Sequence, residues 1–271
     1  MRALGVDWSG ARDPRTQRRT IWIADAEDGQ LTSLSAGGTR DEVADRLLDL
    51  ARSASPGVVG LDFSFGFPAW WARVHGATTG PDMWVVTAAM GEGWLEHCEP
   101  PFWGRRGRPR PPDVGGPALR RTESDTPPGG SQPKSIFQIN GAGQVGTGSI
   151  RGMATLTRLR HAGIPVWPFD PWPGTGLVAA EAYPRWCTGP VIKSRASARL
   201  AYLARWWPAI DGPLLTAAAG SEDAFDAACT ALTLSRSSPP AVEPDGIDRL
   251  EGRVLAPSFA PWTARVATAH E

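Results

Sequence analysis

Lysine is nearly absent from this chain. Of 28 basic residues only Lys134 and Lys193 are lysines, and the other 26 are arginine. Codon composition alone produces such a bias, and arginine is also the better bidentate ligand for phosphate. Cysteine is scarce as well. Cys98, Cys187 and Cys229 are odd in number and lack CxxC spacing, which excludes a disulfide framework and a cysteine-based zinc site. No uncharged apolar run approaches about 18 residues and no basic-then-apolar leader opens the chain, so neither a membrane span nor a secretion signal is expected. The chain reads as cytoplasmic and reduced. Net charge is also missing, with 28 acids against 28 bases, so any affinity for nucleic acid has to come from a local patch. The four histidines, His75, His97, His161 and His270, are scattered and read as structural or exposed.

Apolar residues make up 41% of the chain and thirteen are tryptophan, enough for a packed core, while 26 prolines and 31 glycines imply long irregular connections. The length of 271 residues suits one α/β domain over 1–271, with 78–150 as a loop-rich insertion.

Two short apolar runs organise the rest. Ala3-Leu4-Gly5-Val6 reaches Asp7 and stops at Trp8-Ser9-Gly10; Gly57-Val58-Val59-Gly60-Leu61 reaches Asp62 and stops at Phe63-Ser64. Each reads as a buried strand ending in Asp-aromatic-Ser. As neighbours roughly 5 Å apart in one sheet, the strands would bring both carboxylates to the same carboxyl edge, near enough to share a divalent cation. Taken singly, either aspartate is an ordinary turn-former.

Between these runs, residues 11–19 read as a polar loop with a basic tip, Ile21–Ala24 as a second strand, Asp28-Gly29 as a tight turn and Leu31–Leu34 as a third strand. Thr39 and Glu42 form a capping box ahead of a helix carrying Val43, Leu47 and Leu50. A short helix begins near Phe67. Nine prolines and six arginines then fall between Pro100 and Pro133. That stretch reads as a mobile linker or as a basic arm tracking phosphates, with Phe102 and Trp103 as stacking surfaces. Ile136–Ile139 is a brief extended segment. Gly141-Ala142-Gly143-Gln144-Val145-Gly146 then matches G-x-G-x-x-G, with a helix signal from Ser149 and Asp170 24 residues past the last glycine. A dinucleotide fingerprint and a loop over the site both fit it.

Further extended runs cover Ile164–Phe169 and Gly176–Glu181, the second delivering Glu181 before Tyr183-Pro184. Ser194 reads as the cap of a helix bearing Leu200, Leu203 and Trp207. The last helix opens at Ser221-Glu222-Asp223 with Phe225, Ala228, Cys229 and Leu232 as its buried stripe. Asp223 suits a helix first turn, but Asp226, three residues on, repels it unless a cation lies between them. Glu251–Pro257 suggests a small edge strand.

Asp7, Asp62, Glu181, Asp223 and Asp226 are thus carboxylates at three strand ends and on one late helix, hard oxygen ligands suited to Mg2+ or Mn2+. In these motifs, and in Gln138–Met153 and Glu251-Gly252, the chain resembles the ribonuclease-H-like superfamily and, more narrowly, the domain of unknown function 429 family of predicted nucleases. The resemblance implies a mixed sheet, an antiparallel three-strand meander plus parallel strands, flanked by helices. It implies Asp7, Asp62, Glu181, Asp223 and Asp226 as catalytic residues, Asp7, Asp62, Asp223 and Asp226 as metal ligands, and two-metal hydrolysis of phosphodiesters, with Asp7 bridging both ions. Asp223-x-x-Asp226 is similar to the pair found in junction resolvases of this fold. Candidate phosphate contacts are Arg12, Arg18 and Arg19 at the basic tip, Arg105 and Arg106 in the Pro/Arg stretch, and Lys193 and Arg195 before a helix. No inward acid stands on the helix around Val43–Leu50, which sets the chain apart from ribonuclease H itself. Two other classes stay open: an actin-like or sugar-kinase-like phosphotransferase, which also begins with a strand-end aspartate, and a noncatalytic nucleic-acid-binding module.

Overall fold

The computed structural model describes residues 1–52, 56–125, 131–141 and 144–262. Strand β1 (Arg2–Asp7) leads into helix α1 (Pro14–Thr20), which is followed by β2 (Trp22–Glu27), β3 (Gln30–Ala36), α2 (Arg40–Ala51) and β4 (Gly57–Leu61). Then come α3 (Ala69–Val74), α4 (Gly80–His97), α5 (Arg121–Ser124), α6 (Gly146–His161), β5 (Val166–Trp167) and β6 (Leu177–Glu181). The chain continues through α7 (Pro184–Thr188), α8 (Ala196–Trp206), α9 (Gly212–Gly220), α10 (Glu222–Ser235) and α11 (Asp248–Glu251). Among the described residues the strands form one mixed six-stranded sheet in the order β3-β2-β1-β4-β6-β5. The first three are antiparallel, and β4, β6 and β5 run parallel to β1. No described helix is long and apolar enough to cross a membrane.

Side chains alternate across a strand, so the two faces of β1 carry different cores. Leu4 and Val6 pack with Val43 and Leu47 of α2 and with Met153 and Leu156 of α6. The opposite face carries Ala3, Gly5 and Asp7 and is covered by α10. A Cβ at Gly5 would stand 2.2 Å from the Ala227 carbonyl oxygen, and one at Gly60 would stand 2.6 Å from Leu234 Cδ1. Glycine at both positions lets the helix lie unusually close to the sheet. Outside α10, Tyr202, Leu203, Trp207 and Ala218 complete a second core, so every α10 residue from Ala224 to Ser235 except Asp226 is buried.

Several local expectations are corrected. The expected basic loop after β1 holds α1: Asp13 accepts from Thr16 N at 2.8 Å and Pro14 occupies the first turn, where its fixed φ suits a helix. The 78–150 segment begins with the 18-residue α4, nucleated by a Thr79–Asp82 capping box and packed on α6 where Gly91 meets Ile150. Phe102 and Trp103 are buried, not stacking surfaces: Phe102 joins Phe67, Trp71, Trp94 and Phe137 in an aromatic cluster. Residues 136–139 form a turn bridged to Trp103. α8 starts at Ala196 without a side-chain cap from Ser194, and a further helix, α9, follows it, capped by Asp211. The tail adds one parallel bridge, Glu181 to Val254, in place of a strand.

Gly5→Ala forces its methyl into the α10 backbone and is expected to cost about 1–3 kcal/mol or more, the usual range for overpacking. Thermal unfolding checks this. A melting temperature within about a degree of the parent would refute so tight a helix–sheet contact.

Candidate functional site

The register of β1 against β4 pairs Val6 with Leu61, and Asp62 N donates to Val6 O at 3.0 Å, so the two strand-end aspartates are neighbours. Both project to the α10 side, because Gly5 and Gly60, two residues earlier in each strand, face that helix. Ser221 caps α10, its hydroxyl accepting from Ala224 N at 3.0 Å. Asp223, Asp226, Ala227 and Thr230 then stack along the stripe that faces the sheet.

The charges of these four acids are felt by one another. Burial pushes the Asp7 carboxyl well above its ordinary range, helped by Asp62, Asp226 and Asp223 and opposed by Lys193. Burial, then Asp226, raises Asp62 to about 8, again against Lys193. Asp223 and Asp226 are raised chiefly by burial. Asp7 and Asp62 nevertheless keep part of their surface open. One cation answers the acids directly: Lys193 Nζ lies 2.6 Å from Asp226 Oδ2. The second oxygen of Asp226 is buried without a partner.

A cleft of about 570 Å³ opens beside Asp62, lined also by Trp8, Ser9, Lys134, Thr147 and Tyr183. Its rim is fixed by arginines reaching from the far side of the loop. Arg40 Nη1 donates to Ser9 O at 3.0 Å and Ala11 O at 2.8 Å, and Arg151 Nη1 donates to Gly10 O. Burial, then Asp62, raises the Tyr183 phenol, so it stays a donor at neutral pH.

Glu181 lines the same cleft as Asp62 and its charge helps raise that carboxyl, but its own oxygens are taken up by a separate buried ion pair. It pairs in register with Leu61 and therefore points to the face opposite Asp62. Its Oε2 accepts from Phe65 N at 2.9 Å and Arg120 Nη1 at 2.8 Å, while Oε1 accepts from Arg120 Nη2 at 2.5 Å. Arg120, fully buried, also donates to Glu123 Oε1 at 2.9 Å and to Glu251 O at 3.1 Å. Dehydration of the guanidinium is outweighed by the two carboxylates, which keep it charged. Nothing in the sequence around Arg120 marks it for burial.

The expected phosphate contacts separate. Lys193 is taken by Asp226. Arg12 lies 3.7 Å from Glu92, Arg18 grips Glu42 at 2.6 Å, and Arg105 donates to Glu96 O at 3.1 Å. Arg19, Arg106 and Arg195 are exposed, and the charge of Arg19 is felt by Asp13. In the G-x-G-x-x-G stretch, Ala142 and Gly143 lie outside the described residues. Among the described residues no strand leads directly into it, and Asp170, 24 residues past its last glycine, binds Arg160 at 3.0 Å and Val166 N. His75 packs on Trp71 and His97 Nδ1 meets Gly93 O; His270 lies outside the described residues.

No family model, curated protein or solved structure matches this chain. Among the described residues no group of three or more His, Cys, Asp or Glu side chains is gathered closely enough to hold a metal ion as it stands. The donor chemistry nevertheless suits a hard cation. Four carboxylates repel one another beside a cleft, and the orphaned Asp226 Oδ1 lacks the partner that a buried oxygen requires.

Two outcomes follow from these charges. The folded state holds the Asp62 proton up to about pH 8, whereas the unfolded chain releases it near the ordinary value of 3.8. This group's contribution to stability is therefore present below about pH 4 and is lost as the pH rises towards 8. Asp62→Asn is expected to raise the melting temperature of the metal-free protein, by more at about pH 8 than at about pH 5; an equal gain at both would contradict the raised carboxyl. Arg120→Met leaves Glu181 and Glu123 dehydrated and uncompensated. It is expected to destabilise by about 3–5 kcal/mol in urea unfolding.

Proposed function

We propose that this protein is a Mg2+- or Mn2+-dependent nuclease that hydrolyses phosphodiester bonds on a ribonuclease-H-like frame, as a relative of the domain of unknown function 429 family. One observation carries the reading. Two adjacent parallel strands deliver Asp7 and Asp62 to one sheet edge, and α10 brings Asp223 and Asp226 to the same charge neighbourhood. The meander-first strand order and the crossing of β1 by α10 support the frame.

Asp7, Asp62, Asp223 and Asp226 are the residues that would hold the ion. When bound, it polarises a phosphoryl oxygen and lowers the pKa of an attacking water. The chain's own groups do the rest. Ionising the raised carboxyls without a cation is costly, so a bound ion would have to displace their protons. The cleft beside Asp62 receives the backbone of the nucleic acid, the protonated Tyr183 offers a donor at its wall, and Arg106 and Arg195 stand exposed for phosphates. Glu181 serves the fold. A second reading draws on the same cleft, which lies between the two strand-end loops and is of a size that suits a nucleotide. In that reading Asp62 would serve phosphoryl transfer.

Mn2+ titration of the parent and of Asp7→Asn, followed by single-stranded, duplex and branched nucleic acids and by ATP, separates these readings. The parent is expected to bind Mn2+ and cleave a nucleic acid. Asp7→Asn should lose the metal and at least about a hundredfold in rate, roughly 2.7 kcal/mol of barrier. Turnover of ATP alone would favour the phosphotransferase. No metal binding in the parent, even with nucleic acid present, would leave a noncatalytic module.

A further inference from the structure

The G-x-G-x-x-G stretch ends on Gly146, the first residue of α6, and the start of that helix walls the cleft beside Asp62 with Val145, Thr147 and Gly148. The helix opens without a side-chain cap and without an acid in its first turn. Gly146 N donates to Gln138 O at 3.1 Å and Ser149 N to Val145 O at 3.0 Å, whereas the amides of Thr147 and Gly148 meet no acceptor among the described residues. Unpartnered amides at the start of a long helix attract an anion, through their N–H groups and the helix dipole together. Trp8 stands across from this turn. A Cβ on Gly148 would lie 3.8 Å from Trp8 Cδ1 and 3.7 Å from Gly10 N, with nothing nearer, so the pyrrole edge of the indole faces the helix start. Trp8 is only 9% exposed, and its Nε1, bonded to that Cδ1, is buried without an acceptor. A buried donor left so is costly unless something entering the cleft accepts from it. Lys134, exposed on the same cleft, is in no ion pair among the described residues. The glycines differ as well. Gly146 is required where it stands, since a Cβ there would lie 2.1 Å from Ile136 O, but a methyl fits at Gly148, and what its absence leaves is room. Two acids share the cleft: Glu181 is neutralised by Arg120, and the charge on Asp62 is opposed by Lys193.

We propose that the start of α6 is a phosphate-binding subsite of the cleft, in which the amides of Thr147 and Gly148, the indole N–H of Trp8 and the ammonium of Lys134 hold one phosphate group. The donors are three neutral N–H groups and one cation on a flexible stem. Such a set suits a tetrahedral anion with several acceptor oxygens. The subsite needs no metal ion, so it goes beyond the metal-dependent reading and stands whether or not that reading holds. A phosphate can reach it as part of a nucleic-acid chain or of a free nucleotide, and the chemistry that recognises it is the same for both.

Inorganic phosphate, titrated into the full chain in EDTA, tests the subsite without metal and without reference to turnover. Calorimetry is expected to give one equivalent. One indole N–H resonance, the one missing from Trp8→Phe, is expected to move as phosphate is added. Gly148→Asp sets a carboxylate in the first turn of α6, where it takes the anion's place. It is expected to melt no lower than the parent, since acids are favoured at a helix start, and to lose phosphate binding. Trp8→Phe keeps a ring against Phe63 and removes the donor, for a loss of about tenfold in affinity. Lys134→Met is expected to weaken binding and to flatten its dependence on salt. A phosphorylated oligonucleotide and ATP are then titrated against bound phosphate. Displacement by either supports the subsite, and the better competitor identifies the source it serves. No phosphate binding by the parent would overturn the proposal. So would binding that Gly148→Asp leaves unchanged, a Trp8 resonance that stays still while phosphate binds, or phosphate that neither competitor displaces. Should Gly148→Asp fail to fold, the Trp8 resonance and Lys134→Met decide. With no metal ion in these titrations, their failure is distinct from a failure to bind Mn2+.

Discussion

Where β1 passes under α10, the helix comes so near that no side chain fits between them at Gly5 or Gly60. The acids depend on that closeness. A helix set back by the thickness of an ordinary core layer, with axes about 10 Å from the sheet, would leave Asp223 and Asp226 too remote to disturb Asp7 and Asp62. The disturbance is mutual, and it is the feature that distinguishes these aspartates from turn-formers and caps.

Two ionic systems lie on opposite faces of neighbouring strands, and they are built in opposite ways. Around Arg120, one guanidinium meets Glu181 and Glu123, the carboxyl oxygens of Glu181 accept from Arg120 and Phe65, and Glu251 is held by Ala69 N and Arg121 N. Such a network ties α5, β6 and α11 together and asks for nothing more. On the α10 face, four acids are answered at contact by one ammonium, and a buried oxygen is left open. A fully satisfied network serves architecture, whereas an under-neutralised one raises the carboxyls within it.

Much of the frame was legible in the sequence. Apolar runs ending in aspartate marked β1 and β4, the Thr39–Glu42 box marked α2, and Ser221 with its following stripe marked α10. What escaped has physical reasons. Strands buried on both faces do not alternate, so nothing local tells which side Glu181 takes; only its register opposite Leu61 does. α4 carries Met83, Trp84 and Leu95 inward but leaves Val85 and Met90 exposed, which blurs its periodicity. In α1 the Asp13-Pro14 start signal stands among basic residues with no apolar periodicity behind it. The pairing of Lys193 with Asp226 joins residues 33 apart in sequence, and the burial of Arg120 joins three separate segments. Neither leaves a trace in local composition.

The burial of α10 on all sides has a kinetic meaning. Helices roofed by others, as α10 is by α8 and α9, belong to the cooperative unit whose amides exchange with solvent only when the whole molecule opens. Asp223 and Asp226 therefore ride on a helix buried over most of its length, while Lys193 extends from the connection between α7 and α8. The carboxylates keep their place through the local fluctuations that loosen the connections around them, so the centre is no more labile than the fold itself.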